Sequence, residues 1–156
     1  MRALNHQLTT GAAYVICMYR WPEIFPWMTI QGTGFALIGA LLPDIDCHNS
    51  TVGRRLKVIS VPVQLILGHR GALHSLLAAA GLLYVANLLQ FPWALSLTFG
   101  YLGHLVGDAC TRSGVNFFWP LSHRYRVPFT PASNGVFEAI TTWSLVLVAI
   151  YVVSMN

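Results

Sequence analysis

The sequence predicts an all-α fold: a polytopic membrane helical bundle of about five embedded segments joined by polar cytoplasmic loops. Three observations carry this expectation. Hydrophobic residues make up 55% of the 156 positions and charged residues only 9%, whereas a soluble domain carries about 25% charged residues. The apolar residues fall in long blocks rather than in alternation. The Arg and Lys residues sit almost entirely between those blocks, which is the pattern of membrane topology. So little charge cannot cover a globular surface with solvated groups, and lipid is the solvent that fits. The net charge of +4 therefore reads as topology rather than as a nucleic-acid footprint, and no direct nucleic-acid binding is expected. The length suits one domain, 1–156.

The first segment runs from Gln7 to Tyr19 and is short. Arg20-Trp21-Pro22-Glu23 lacks the small residues of a cleavage site, so this block is not read as a signal peptide. The second runs from Ile24 to Leu42, long enough to span, and ends where Pro43 biases Leu42 away from helix. The third runs from Ala72 to Leu89. Phe91-Pro92-Trp93 then makes a corner, and the fourth runs from Ala94 to Thr111. The fifth runs from Val136 to Val153. Between the second and third lie a polar turn, Cys47 to Gly53, and a basic cluster, Arg54, Arg55 and Lys57. Val58 to Leu67 follows, apolar but too short to span, and is expected in the interface or re-entering the membrane. A second polar stretch, Arg112 to Gly135, joins the last two segments. The three cysteines, Cys17, Cys47 and Cys110, show no repeated spacing and are read as small packing residues rather than a disulfide framework.

With the N-terminus in the cytoplasm, both long loops are cytoplasmic as well. Arg2, Arg54, Arg55, Lys57, Arg70, Arg112, Arg124 and Arg126 then lie inside and only Arg20 outside, which is the arrangement the positive-inside rule favours. This orientation brings polar residues together. His6 falls at the inner end of the first segment, and Asp44 and Asp46 at the inner end of the second. His69 and His74 flank the start of the third, and His104 and Asp108 lie toward the inner end of the fourth. None of these residues entered the topology argument, so their convergence is independent support for a site.

The fourth segment is the clearest case. His104 and Asp108 are four apart and share one helical face. Gly103-x-x-x-Gly107, with Gly100, lines a neighbouring stripe and allows close helix approach. Ionisable groups within a membrane segment are costly and usually functional. Imidazole and carboxylate are the nitrogen and oxygen ligands of zinc, manganese and iron. Three Asp and four His can hold one or two divalent ions, zinc being the leading candidate. Two ions about 3.5–4 Å apart activate water and neutralise charge at a phosphoryl group. The expected metal ligands are His6, Asp44, Asp46, His69, His74, His104 and Asp108, with Asp44 or Asp108 also a candidate general base. Arg70, between two ligand candidates, is the first candidate to bind and act on a phosphoryl group. Arg124 and Arg126 are further candidates for gripping an anionic substrate, since guanidinium matches phosphate oxygens bidentately.

The motifs resemble a known family. They are Leu41-Leu42-Pro43-Asp44-Ile45-Asp46, Ser50, and His69-Arg70-Gly71-x-x-His74-Ser75-Leu76-Leu77. Gly100-Tyr101-Leu102-x-His104-x-x-x-Asp108-x-x-Thr111-x-x-Gly114-Val115 follows, then Trp119-Pro120 and Arg124-x-Arg126-x-Pro128. With His6 near the start, this order resembles the YdjM-type family of bacterial inner-membrane proteins, described as membrane-bound metal-dependent hydrolases. The resemblance covers the chain from about His6 to Pro128. It implies a multi-pass protein of the bacterial cytoplasmic membrane, a divalent metal and hydrolysis. A fainter likeness to zinc-dependent phospholipase C and P1-type nucleases implies a phosphoester substrate. The chain departs from the family at Leu73, where a threonine is usual, so no role is expected there.

Together these readings predict a hydrolase whose site opens at the inner leaflet, where membrane lipids or a lipid-linked phosphoester can reach it. Two other classes use the same residues. A metal or proton carrier also buries His and Asp, but its polar groups reach both faces, and here the outer half offers only Arg20 and Glu23. A membrane scaffold in stress regulation, implied by the family's described association with the LexA repressor, would meet a regulatory protein partner and need no metal.

Overall fold

A computed structural model of the chain describes residues 3–47, 50, 52–67, 71–111, 113–121, 123–127 and 135–156. Among them six α-helices follow in order: α1 Ala3–Arg20, α2 Ile30–Gly39, α3 Lys57–Leu67, α4 Leu76–Leu88, α5 Ala94–Ala109 and α6 Gly135–Ser154. Short 3-10 turns at Pro43–Asp46 and Ala72–His74 follow α2 and precede α4. The expected all-α class holds. Strand-like pairing among the described residues is confined to one antiparallel bridge, Val115 to Tyr125.

The second segment differs most from its expected span of Ile24 to Leu42. Its helix begins only at Ile30. Pro22 and Pro26 each remove a backbone donor, and the chain turns through that stretch, with Phe25 N donating to Trp21 O and Met28 N to Phe25 O. Thr29 then caps α2, its hydroxyl accepting from Gly32 N at 3.0 Å. Ten residues make about 15 Å of helix, half of a ~30 Å hydrocarbon core. Among the described residues no helix is long and apolar enough to cross a membrane. The third segment is also shorter than expected, because Ser75 caps α4 by accepting from Ala78 N. The apolar stretch after the basic cluster is helical as α3.

α5 is the central element. It runs parallel to α2, and the small residues of the two helices meet in one register. A side chain on Gly100 would strike the backbone carbonyl of Ala36, and one on Gly39 the carbonyl of Leu97. Only hydrogen at these positions lets the two backbones approach so closely. Gly103, expected to serve such an approach, does so toward α1, where a side chain on it would strike that of Thr10. α1 runs antiparallel to α5 and is pinned by Tyr14. That fully buried phenol shares a hydrogen bond with Ser96 Oγ at 2.8 Å and accepts from Thr29 N at 3.1 Å. α4 folds back on α5, packing Ala79 against Tyr101, Leu105 and Ala109. α6 runs parallel to α1, with Asn5 donating to Glu138 at 3.3 Å and Thr9 paired with Thr142 at 3.1 Å.

Candidate metal centre

Antiparallel and parallel pairings around α5 bring four helix ends to one end of the bundle: the start of α1, the exit of α2, the entry to α4 and the last turns of α5. Each carries polar side chains inward. His6 comes from α1, Asp44 and Asp46 from the turn after α2, His74 from the turn before α4, and His104 and Asp108 from α5.

The turns are held locally. Ser50 Oγ donates to Asp44 O at 2.8 Å and accepts from Gly53 N at 2.8 Å, which folds the polar loop back beneath Asp44. Tyr101 donates its hydroxyl proton to Leu73 O, fixing the turn that carries His74. Leu76 N donates to Phe117 O at 2.9 Å, tying the start of α4 to the loop after α5. Thr111 Oγ1 donates to Asp108 O at 2.8 Å and closes the last turn of α5.

Within this frame the side chains approach one another closely. His6 Nε2 lies 3.4 Å from Asp108 Oδ1. His74 Nε2 lies 3.6 Å from Asp108 Oδ2. His104 Nε2 lies 3.8 Å from Asp44 Oδ1 and 3.9 Å from Asp108 Oδ2. The His6 and His104 rings stack at 4.1 Å with 18° between their planes. Two sets of three, His6–His104–Asp108 and Asp44–His74–His104, each bring one ligand atom per residue within 4.8 Å of the others. His104 belongs to both.

Hydrogen bonds on the far sides of two rings fix their tautomers. His104 Nδ1 lies 2.7 Å from Ala40 O. A carbonyl can only accept, so Nδ1 carries the proton, and the neutral ring turns the lone pair of Nε2 toward Asp44 and Asp108. His74 Nδ1 lies 3.0 Å from Asp46 Oδ2 and is held the same way, which turns Nε2 toward Asp108. The atoms that His74 and His104 turn inward are therefore lone pairs, and they face the carboxylate oxygens of Asp44 and Asp108. His104 Nε2 and His6 Nδ1 are buried without a hydrogen-bond partner. Burying such groups together is expensive unless a cation joins them. The residues present would fit a divalent transition metal, around which imidazoles oriented by carbonyl and carboxylate are usual.

Burial is uneven. His6, Asp46, His74, His104 and Asp108 are all nearly inaccessible, whereas the Asp44 side chain is 22% exposed and marks the open side. Burial pushes the Asp44 carboxyl above the usual carboxylate range. His74 and His6 pull it down, and Asp108 and Asp46 add to the rise.

Of the residues expected at the site, six come together. Asp46 sits behind His74 rather than among the converging atoms. His69 and Arg70 lie outside the described residues. Arg124 and Arg126 are exposed on either side of Tyr125, in the segment that Val127 N ties to Ala109 O at 3.0 Å, beyond the end of α5. Two contributors were not expected. Ala40 acts through its carbonyl, which leaves no trace in residue type. Glu138 reaches Asn5, the neighbour of His6, from α6; an acid in an apolar helix was the available signal.

A model of the family described as YdjM inner membrane protein matches residues 1–156. Inner membrane protein YdjM of Escherichia coli (strain K12) is 37% identical over 124 residues, covering 70% of this chain and 63% of that protein. The Shigella flexneri protein of the same name matches equally. An uncharacterized protein of Bacillus subtilis (strain 168), YvsG, is 32% identical over 117 residues, covering 73% of this chain and 72% of that protein. The match thus spans under two thirds of the two YdjM proteins. No solved structure matches the chain.

Proposed function

The chain belongs to the YdjM inner membrane protein family, and on that premise we propose that it is a membrane-embedded, divalent-metal-dependent hydrolase. Its substrate is a phosphoester of a lipid or lipid-linked molecule, cleaved at the cytoplasmic leaflet of the inner membrane. One observation carries this reading: acceptor atoms of His6, Asp44, His74, His104 and Asp108 converge at one end of the bundle, with His104 shared by two sets of three.

His6, His74, His104, Asp108 and Asp44 would hold one or two ions, zinc fitting the nitrogen-rich set best. A bound divalent ion supplies Lewis acidity toward a phosphoryl oxygen and toward water. The chain does the rest. Ala40 and Asp46 hold the His104 and His74 rings in their tautomers. Asp44, the accessible carboxylate, is the candidate general base, and Asp108 anchors three imidazoles. Arg70, Arg124 and Arg126 are the candidate phosphate-binding residues.

The membrane setting has its own support. Ile140, Trp143, Leu147 and Ile150 are exposed along α6, and Leu77, Tyr84 and Leu88 along α4, which suits lipid better than water. Arg54, Arg55, Lys57, Arg124 and Arg126 are exposed in the segments flanking the site, whereas Arg20 ends α1 at the other end, as a cytoplasmic site requires. The test is hydrolysis of phospholipid and polyprenyl phosphoesters by the purified full chain. Zinc-dependent release of phosphate or headgroup, absent in His104→Ala, is expected. Equal turnover in wild type and His104→Ala would refute the assignment.

A further inference from the structure

The helix α3 has no role in the centre just described, yet its surface is unusual. It begins in the basic cluster, with Arg54, Arg55 and Lys57 all exposed. From Cys47 to Gly107 the sequence contains no acidic residue, so the helix carries no carboxylate of its own, and the acids of the turn beside it, Asp44 and Asp46, face the histidines of the polar centre. Val58 is 90% exposed, Val61 43% and Leu65 81%. At 3.6 residues per turn these positions, with exposed Pro62, fall within one arc of about 100°. Ser60 points the opposite way, is fully buried, and donates to Gly53 O at 2.9 Å. That bond fixes how the helix rolls. It turns the apolar arc outward beside the cations, and α3 packs against the turn that bears Asp44 and Asp46.

We propose that α3 lies flat in the headgroup region of an anionic membrane, its Val58–Val61–Leu65 arc in the acyl boundary and Arg54, Arg55 and Lys57 on lipid phosphates. Basic clusters beside an apolar helical arc bind anionic leaflets in this way, with both attractions acting together. The occupant is anionic phospholipid rather than a protein, because the patch pairs three exposed cations on an acid-free stretch with bare apolar surface. This placement gathers phosphate-bearing lipid next to the open side of the centre at Asp44. It rests on the membrane setting proposed above but not on hydrolysis.

The experiment uses the full chain in nanodiscs of phosphatidylcholine, with and without phosphatidylglycerol. Nitroxide labels are placed at Val61, at Leu65 and, as a reference, at Leu147 of α6, with Cys17, Cys47 and Cys110 replaced by serine. With phosphatidylglycerol present, the α3 labels should be reached by oxygen and shielded from a water-soluble nickel chelate. The combined variant Arg54→Glu, Arg55→Glu, Lys57→Glu should reverse this and weaken phosphatidylglycerol binding by at least about a hundredfold, since the loss of each cation alone accounts for roughly a factor of five. Labels at Val61 and Leu65 that stay open to nickel while Leu147 is shielded would overturn the inference and point to a protein partner. Shielding that ignores lipid charge or the charge reversal would overturn the anionic preference. Nickel access at Leu147 would instead refute the membrane embedding, and α3 would then stand or fall on its own response to phosphatidylglycerol.

Discussion

His104 Nδ1 hydrogen-bonds the carbonyl of Ala40 at 2.7 Å, across the crossing of α5 and α2. The bond joins the packing of the bundle to the chemistry of its polar end. Ala40 comes just after the stretch where Gly39 and Gly100 allow two backbones to touch. The imidazole therefore finds its acceptor only if those helices cross at that depth, and only then does Nε2 face Asp44 and Asp108.

Gly100→Val should loosen the crossing. Its side chain would meet the Ala36 backbone, which cannot rotate away as a side chain could. Stability should fall by about 1–3 kcal/mol, and metal binding should fall with it because His104 loses its acceptor. Thermal unfolding in detergent, followed with and without zinc, measures both.

Tyr14→Phe separates stability from the site. The phenol is buried far along α1 from His6, bonded to Ser96 and accepting from Thr29 N. Removing the hydroxyl leaves the buried Ser96 hydroxyl and the partly buried Thr29 N–H short of a partner, at a cost of about 1–3 kcal/mol. Zinc stoichiometry should stay at the wild-type value. A variant that unfolds at the wild-type temperature would show that this pin contributes nothing.

Asp46→Asn tests the outer support of His74. The carboxylate holds Nδ1–H at 3.0 Å and raises the basicity of Nε2. Losing its charge should weaken zinc affinity by roughly 10–100-fold without abolishing binding, as read by competition with a chelating dye. Unchanged affinity would mean that His74 is not a ligand.

The pH dependence follows from Asp44. Its carboxyl titrates above its unfolded value because burial disfavours the charge. In the metal-free protein its contribution is thus present at low pH and is lost as pH rises through the raised value. Ligands must be deprotonated to bind metal. The thermal shift produced by zinc should therefore grow between acidic and neutral pH, and the growth should shrink in Asp44→Asn.

Much of the site was legible in the sequence because its residues break the apolar pattern. His104 and Asp108 four apart on one helix, and acids directly after a proline, stand out in a chain with 9% charged residues. Alternating chain direction then carried His6, Asp44, His74 and His104 to one end. What remained hidden depends on long-range contacts. The register of α2 on α5 follows from tertiary packing, so the glycine stripe of α5 was legible but its partners were not: Gly100 meets Ala36 of α2, Gly103 meets Thr10 of α1, and the part played by Gly39 was not foreseen. The Ala40 carbonyl is backbone and invisible to residue type. Asp46 and Asp44 look alike in sequence, and only the tertiary placement of His74 and His104 puts Asp46 on His74 Nδ1 and Asp44 opposite His104 Nε2. The late start of α2 was foreseeable, since Pro26 stands inside the expected helix, but the apolar run outweighed it.

The most direct test of the account is the metal content of the full chain, purified in detergent without a histidine-rich tag and measured by mass spectrometry beside Asp44→Ala and His104→Ala. One or two equivalents of a transition metal are expected in the wild type, a reduced content in Asp44→Ala, and loss in His104→Ala, whose ring belongs to both sets of three. A well-folded wild-type protein that holds no metal and takes up neither zinc nor manganese would contradict it.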